Sequence, residues 1–593
     1  MKNKRFKSLL AVLLTVCLVL LASCGTAATS SNGVQSGSDG SQTDSGAIDG
    51  SAIAREAENA NADEVEITGD FTIATTVENG FTQSGAVYTI TAAGEYTLSG
   101  VLTDGQVIVD AGDDDKVTLN LDGVSITCST DSPIYIKNAD KVKINAAEGS
   151  YNKISDTRPL QTNENDTTGK GAIYACCDLD LLGSGSLVVE ASYNNGIHTK
   201  DDLEIKNIVL YVTAPNNAIK GNDSLTVKSG NIIAISSAGD ALKTENSDIS
   251  SKGNQRGTVT ISGGTLELYA GCDGIDASYD VVISGEASIL IKTNSYSSYT
   301  AASLKTTTTS TSSGYGRFGM SSGNSNKSAE SSKGIKADNQ IAISGGTIEI
   351  YCKDDGIHAN SDNALENNET PLGNITISGG SIQITAADDA VHADGTLQID
   401  GGYLNVLTAY EGLEGHYVNI TSGEVHIYAT NDGINAQGST KYTSDGVITV
   451  SGGKVYVEVA GSDVDGVDAN GSYYQTGGFV VVSNPNANSQ GTAAAVDADN
   501  TVSVTGGIIL ALGTVPSSGG GMGGGPGGGR FGMGGMNAGS SLPSGYVTYS
   551  GTLSAGSHTF TYNGTSYTFT LKNRVSSGWI WASGISSGNY TLQ

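Results

Sequence analysis

An all-β fold is the class this sequence predicts: a right-handed parallel β-helix of about twelve coils with a small C-terminal β unit. The first observation is a phrase that recurs along the chain, as in IYCKDDGIHANSD (350–362), NNGIHTKDD (194–202), CDGIDASYD (272–280), DDAVHADG (388–395), NDGINAQG (431–438) and VDGVDANG (464–471). Neighbouring copies are commonly 21 to 24 residues apart, with some wider spacings near 33 that fit loop insertions. The second is a pair of short alternating runs between the marks, often joined by Ser-Gly-Gly, as in IAISGGTIEIYC (341–352) and ITISGGSIQITA (375–386). Each period therefore holds three strands and three turns. The third is composition: 81 glycines in 593 residues with only 38% hydrophobic residues exclude a packed helical protein. Strands this short, each with one apolar face, bury it only against the next coil. A propeller needs about 40 residues and four strands per blade, which fits poorly.

The elements follow in order. In residues 1–24, Lys2, Lys4, Arg5 and Lys7 precede an apolar run from Leu9 to Leu21 and then Cys24. This is the pattern of a signal peptide with a bacterial lipobox, predicting lipidation of Cys24 and attachment to the extracellular face of the cell membrane. Residues 25–64, rich in Ser, Gly, Ala and Thr, read as a flexible tether. Residues 65–512 form the predicted β-helix, interrupted at 293–333 by a Ser/Thr/Gly insertion, and a Gly-rich linker covers 513–542. Both low-complexity stretches contain the same Arg-Phe pair, Arg317-Phe318 and Arg530-Phe531, suggesting arms that fold over a bound polymer. Residues 543–593 alternate apolar and polar residues between Gly-Ser turns, as a small β-sheet does. That unit either caps the rod or presents Trp579 and Trp581 to a sugar; two tryptophans one residue apart share a face and favour a core.

At about 4.8 Å per rung, twelve coils make a rod roughly 55 to 60 Å long, a length suited to a polymer. The formal charge of −30 excludes nucleic acid as a partner and restricts membrane contact to the lipid anchor. The folded part keeps Cys128, Cys176, Cys177, Cys272 and Cys352, without zinc spacing, which read as small buried hydrophobes.

In the recurring phrase the aliphatic residue faces the core, so the residue after it faces solvent. Down the rod this outward position reads Tyr174, His198, Lys220, Lys243, Asp276, Lys336, His358, His392, Glu414, Asn435, Asp468 and Asp497, one polar ribbon without an aliphatic residue. Of these, His198, Lys220, Lys243, Lys336, His358 and His392 are the candidate sugar contacts. Aspartates border the ribbon at the preceding turns. Carboxylates about 5 Å apart repel by about 1 kcal/mol in water and about 3 kcal/mol at an effective dielectric near 20. A hard cation relieves this, so Ca²⁺ is the predicted cofactor, with Asp240, Asp273, Asp276, Asp354, Asp355, Asp388, Asp389, Asp432, Asp465 and Asp468 as candidate ligands. Against it, any single Asp or Asn also serves a turn through a side-chain bond to backbone.

The run PIYIKNADKVKINAAEGSYNKISD (133–156), then GAIYACCDLDLLGSGSLVVEASYNNGIHTKDDLEI (171–205), then the serial SGG and DGI phrases resemble the carbohydrate-binding domain-containing β-helix family of clostridia-type bacteria, over most of residues 65–512. The resemblance implies a fold similar to pectate lyases, bound calcium, and binding of cellulose and acidic sugars such as polygalacturonate. A calcium-bearing surface protein that binds plant cell-wall or other acidic polysaccharide as a monomer without cleaving it is the favoured function. A lyase needs calcium and a Lys or Arg base, which the ribbon lysines allow; a purely structural adhesin is the third alternative.

Overall fold

The computed structural model describes residues 65–163, 165–293, 331–361, 363–365, 367–370, 372–438, 442, 444–462, 464–488, 493–515 and 542–593. The leader with Cys24, the tether to residue 64, Arg317-Phe318 and Arg530-Phe531 lie outside the described residues. Among the described residues no helix forms; 41 strands join one mixed, largely parallel sheet and three more make a second sheet.

The local rule is visible in Asn374–Ala386, where Ile375, Ile377, Ile382, Ile384 and Ala386 are buried and the residues between them are not. Period-2 alternation gives each strand one apolar face. The Ser-Gly-Gly turn at its centre bends the chain between two such faces. Gly380 has φ +85°, and a Cβ there would stand 2.8 Å from the Gly345 carbonyl oxygen of the preceding copy, so equivalent turns pack backbone to backbone.

Strands pair with their equivalents in neighbouring repeats, giving three parallel ladders. One passes from Gly171–Ala175 through Asn195–Thr199, Ile219–Gly221 and Leu242–Lys243 to Val496–Ala498. Its inward column is Ile173, Ile197, Ile219, Leu242, Ile275, Ile335, Ile357, Val391, Leu413, Ile434, Val467 and Val496, each at most 2% exposed. A second ladder carries Ile341, Ile375, Leu397, Val418, Ile448, Tyr473 and Val502 in register. A third carries Ile348, Ile382, Leu404, Val425, Val455 and Val480. These columns belong to one continuous core.

Both ends of the sheet change to antiparallel pairing. Thr72–Ala74 pairs with Gly94–Leu102, and Val575–Ala582 pairs with Thr501–Leu512. The latter strand covers the last parallel edge and carries both tryptophans into the main core, Trp579 opposite Ala511 and Trp581 opposite Ile509. Trp581 Nε1 donates to the Ser544 carbonyl at 3.0 Å. Neither indole is left as a platform for a sugar. The hydrophobic face of the three-stranded sheet, with Phe560 and Phe569, packs in a second core against Phe479 and Leu510.

Truncating a core column creates a cavity, so Ile357→Ala lowers unfolding stability by about 2–5 kcal/mol. Gly380→Ala costs more than 1 kcal/mol through its positive φ and the carbonyl contact, while Thr376→Ala, on the outward side of the same strand, stays within about 0.5 kcal/mol. Urea titration of the three variants checks this order.

Candidate functional site

The polar ribbon is assembled by the first ladder. Its register places Tyr174, His198, Lys220, Lys243, Asp276, Lys336, His358, His392, Glu414, Asn435, Asp468 and Asp497 opposite one another in that sequence. Tyr135 extends it one rung upstream.

The ribbon is not open to solvent as the alternation alone implies. His198, Lys220, Asp276, His358, Glu414 and Asn435 are all 8% exposed or less. The cause is lateral cover: side chains from the turns before each strand and the loops after it close over the outward position. Asn222 Oδ1 accepts from His198 Nε2 (3.0 Å), Glu245 pairs with Lys220 Nζ (2.7 Å), and Asp394 faces both His358 and His392. His198, with its other ring nitrogen 3.3 Å from Asn195 Nδ2, is driven down to about 4 by burial first and by Lys220 second, and is neutral at pH 7.

The turn aspartates form a second column with a double task. One oxygen of each takes a backbone N–H of the following rung: Asp273 N donates to Asp240 (2.9 Å), Lys333 N to Asp273 (2.7 Å), Asp389 N to Asp355 (3.2 Å) and Asp465 N to Asp432 (2.6 Å). Asn217 does the same for Asp240 N at 3.0 Å. A neutral amide satisfies this bond equally well, so the negative charge of the aspartates is surplus to the turn.

What balances that charge differs along the column. At Asp240, Asp273 and Asp276, Lys243 Nζ binds Asp240 at 2.7 Å and also Asp276, and Lys336 Nζ binds Asp276 at 3.0 Å. Burial alone would lower these lysines; Asp276, with Asp240 for Lys243 and Asp338 for Lys336, outweighs it and holds both well above the usual range. Asp273 is pushed up to about 7 by burial, then by Asp276 and Asp240. Further along, Lys333 Nζ reaches Asp354 and Asp355 at 2.8 Å each, and Asp388 lies beside them. His358 Nδ1 stands 2.8 Å from Asp355 and His392 Nδ1 3.1 Å from Asp389, with the two imidazoles stacked 4.4 Å apart. Burial would raise Asp355, but the His358 hydrogen bond and charge hold it well below the carboxylate range. Burial foremost, with Asp389 contributing, pushes Glu414 up to about 10 against the pull of His392.

At the C-terminal end the balance fails. Asp432, Asp465 and Asp468, with Asp497 and Asp499 beside them, have no lysine, arginine or histidine partner among the described residues. Burial first and neighbouring carboxylates second push Asp465 up to about 8 and Asp468 to about 7.

At the opposite end, beside the ribbon's own Tyr174, lie Tyr135, Lys137 and Lys200, which the recurring phrase does not mark. Tyr135, half-buried, and Tyr174 are 5.4 Å apart, and exposed Lys137 and Lys200 stand 5.2 Å and 5.8 Å from the centres of Tyr135 and Tyr174. Neither lysine has a carboxylate partner among the described residues. Carrying the alternation two positions past the ribbon residue, as in Tyr135-x-Lys137 and His198-x-Lys200, marks both lysines on the same face. A second omission is the Asp178, Asp201 and Asp202 cluster, where Asp201 also meets Asp223, itself pushed to about 6 mainly by burial and paired with Arg256 at 2.6 Å.

A family model described as carbohydrate-binding domain-containing protein matches residues 84–372 and 372–415, together more than half of the chain. A carbohydrate-binding domain-containing protein of Acetivibrio thermocellus is 44% identical over 117 residues, 20% of this chain. The match spans 41% of that relative's own length. A solved structure, the polysaccharide lyase-like protein from C. thermocellum as a gadolinium derivative, is 38% identical and aligns over 37% of this chain and 86% of its own, with a TM-score of 0.35.

Because Asp465 has a folded pKa of about 8 and an unfolded one near 3.9, the folded state binds the extra proton between those values. In the presence of chelator, stability therefore falls as pH rises from about 4 to 8, by up to about 1.4 kcal/mol per pH unit for that proton. Asp465→Asn keeps the oxygen that receives the Ala494 amide and removes the titration. Its advantage over the native protein grows across this window, as denaturant midpoints at pH 5 and pH 8 measure.

Proposed function

The chain belongs to the carbohydrate-binding domain-containing protein family, and from that premise we propose that it is a lipid-anchored surface protein that holds acidic polysaccharide on a calcium-bearing parallel β-helix without cleaving it. The three ladders are read as the three faces of the helix, each repeat of three strands forming one coil. Cys24 is the proposed anchor.

One observation carries the choice of ligand. Lys137 and Lys200 are exposed cations beside the Tyr135–Tyr174 pair on a chain whose net charge is −30. The half-buried Tyr135, backed by Tyr174 at 5% exposure, offers an aromatic face for the apolar face of a pyranose ring, and ammonium groups pair with uronate carboxylates. Lys220, Lys243, Lys336, His198, His358 and His392 order the ribbon behind this end through the contacts described above, rather than meeting the polymer themselves.

The same contacts favour binding over elimination. A lyase base must be a free amine, whereas Lys243 and Lys336 are held as ammonium ions between carboxylates.

Calcium fits one end of the aspartate column better than the other. Asp432, Asp465 and Asp468, joined by Asp497, offer only oxygen donors and lack an ammonium partner, the donor set of a hard divalent cation. At Asp240, Asp273 and Asp276, and at Asp354, Asp355 and Asp388, lysine ammonium groups already supply positive charge. Bound calcium would neutralise the buried carboxylates and offer an open coordination position to a uronate.

Sedimentation of the protein with polygalacturonate, read together with absorbance of unsaturated uronate, tests this function. The expected result is binding without an absorbance rise, weakened by chelator, and weakened about 10-fold or more in a Lys137→Ala/Lys200→Ala variant, the loss of two charge-assisted contacts. A calcium-dependent absorbance rise, or unchanged binding by the double variant, overturns it.

A further inference from the structure

Two copies of the recurring phrase differ from the rest by carrying histidine on consecutive rungs. Asp-Asp-Gly-Ile-His (354–358) and Asp-Asp-Ala-Val-His-Ala-Asp (388–394) pair so that His358 faces His392 and Ile357 faces Val391. The alternation also puts Asp394, two residues past His392, on the same side.

The two nitrogens of each ring have different surroundings. His358 Nδ1 is hydrogen bonded to Asp355 Oδ2 at 2.8 Å. His392 Nδ1 lies 3.1 Å from Asp389 Oδ2 but out of hydrogen-bond line, leaving it buried without a partner. The Nε2 atoms both turn toward Asp394 Oδ1, at 3.4 Å and 3.3 Å, and His392 Nε2 is also 3.7 Å from Glu414 Oε1. The His358–Asp394 contact is a long hydrogen bond, and all three separations exceed the usual N–H···O range of about 2.7–3.2 Å. They approach the edge of about 3.3 Å between neighbouring ligands of a tetrahedral ion bound at about 2.0–2.1 Å.

We infer that His358 Nε2, His392 Nε2, Asp394 and Glu414 form a binding site for a zinc-class divalent cation, with Asp355 and Asp389 as the outer carboxylates that orient the rings. A metal-bound imidazole commonly passes its other N–H to a carboxylate, an arrangement formed at His358 and offered out of line, at 3.1 Å, by Asp389 at His392. Two nitrogen donors separate this site from the all-oxygen calcium site proposed at Asp432, Asp465 and Asp468, because imidazole suits zinc or cobalt and calcium prefers oxygen. The rings are parallel within 4°, so both Nε2 lone pairs reach a shared ion by a tilt about χ2, a soft torsion for histidine. For His392 such a tilt also offers Nδ1 a way into line with Asp389. The site stands independently of the carbohydrate reading.

Cobalt serves as the probe. The full chain, stripped with chelator, is titrated with Co²⁺ while visible d–d absorption is followed. The expected result is saturation at about one equivalent with the intense bands of a four-coordinate ion, displacement by stoichiometric Zn²⁺, and no displacement by a large excess of Ca²⁺. His392→Gln abolishes the bands, Glu414→Gln weakens binding at least 10-fold, and Asp389→Asn weakens it about 10-fold as a ring-orienting change, whereas His416→Gln leaves the titration unchanged. Circular dichroism melts of each variant establish that it is folded; if His392→Gln does not fold, Glu414→Gln decides. Weak octahedral bands without saturation, displacement by Ca²⁺, or full binding by the folded decisive variant overturns the assignment.

Discussion

Everything at the polar edge of this protein follows from in-register parallel pairing. A residue on one rung lies directly over its equivalent on the next, about 4.8 Å away, so whatever suits one turn is repeated until it is a column. For aliphatic residues repetition is favourable, and Ile173 through Val496 make an unbroken buried line. For charged residues repetition is costly, and each aspartate added to the turn column worsens the position of its neighbours. The column persists because one carboxylate oxygen per rung satisfies the next rung's amide.

The remaining charge is handled locally in three ways. Lys243 and Lys336 place ammonium groups among Asp240, Asp273 and Asp276. Lys333 and the stacked His358 and His392 occupy the middle with Asp354, Asp355 and Asp389. Around Asp465 and Asp468 no side-chain cation arrives among the described residues, and both carboxyls are pushed far above the ordinary carboxylate range. A protein with this gradient has an end suited to a mobile metal ion and, near Tyr135 and Tyr174, an end with exposed lysines suited to an anionic polymer. Both assignments are proposals grounded in that difference of composition.

The ribbon's membership and sequence order were legible in the sequence, because the aliphatic residue before each polar one fixes which way it points and the period fixes its neighbour. Its burial was not. Cover comes from Asn222, Glu245 and Asp394, each two residues past a ribbon residue; alternation puts them on the ribbon's side, but only the structure shows them reaching across to the ribbon side chains of their own or the adjacent rung. Lys333 was equally hidden, since it stands at the turn position reached after the long insertion, where neighbouring copies carry Asp. The tryptophan pair was half legible: a shared face followed from alternation, but only the antiparallel pairing with Thr501–Leu512 reveals that the face belongs to the core.

Calcium equilibrium dialysis of paired variants tests the charge-balance account most directly. Asp465→Asn/Asp468→Asn is predicted to lose bound calcium, because it removes carboxylates without a fixed counter-ion, while Asp240→Asn/Asp273→Asn is predicted to retain it. Loss of calcium from the second variant with retention by the first would place the ion where lysines already stand and contradict the account.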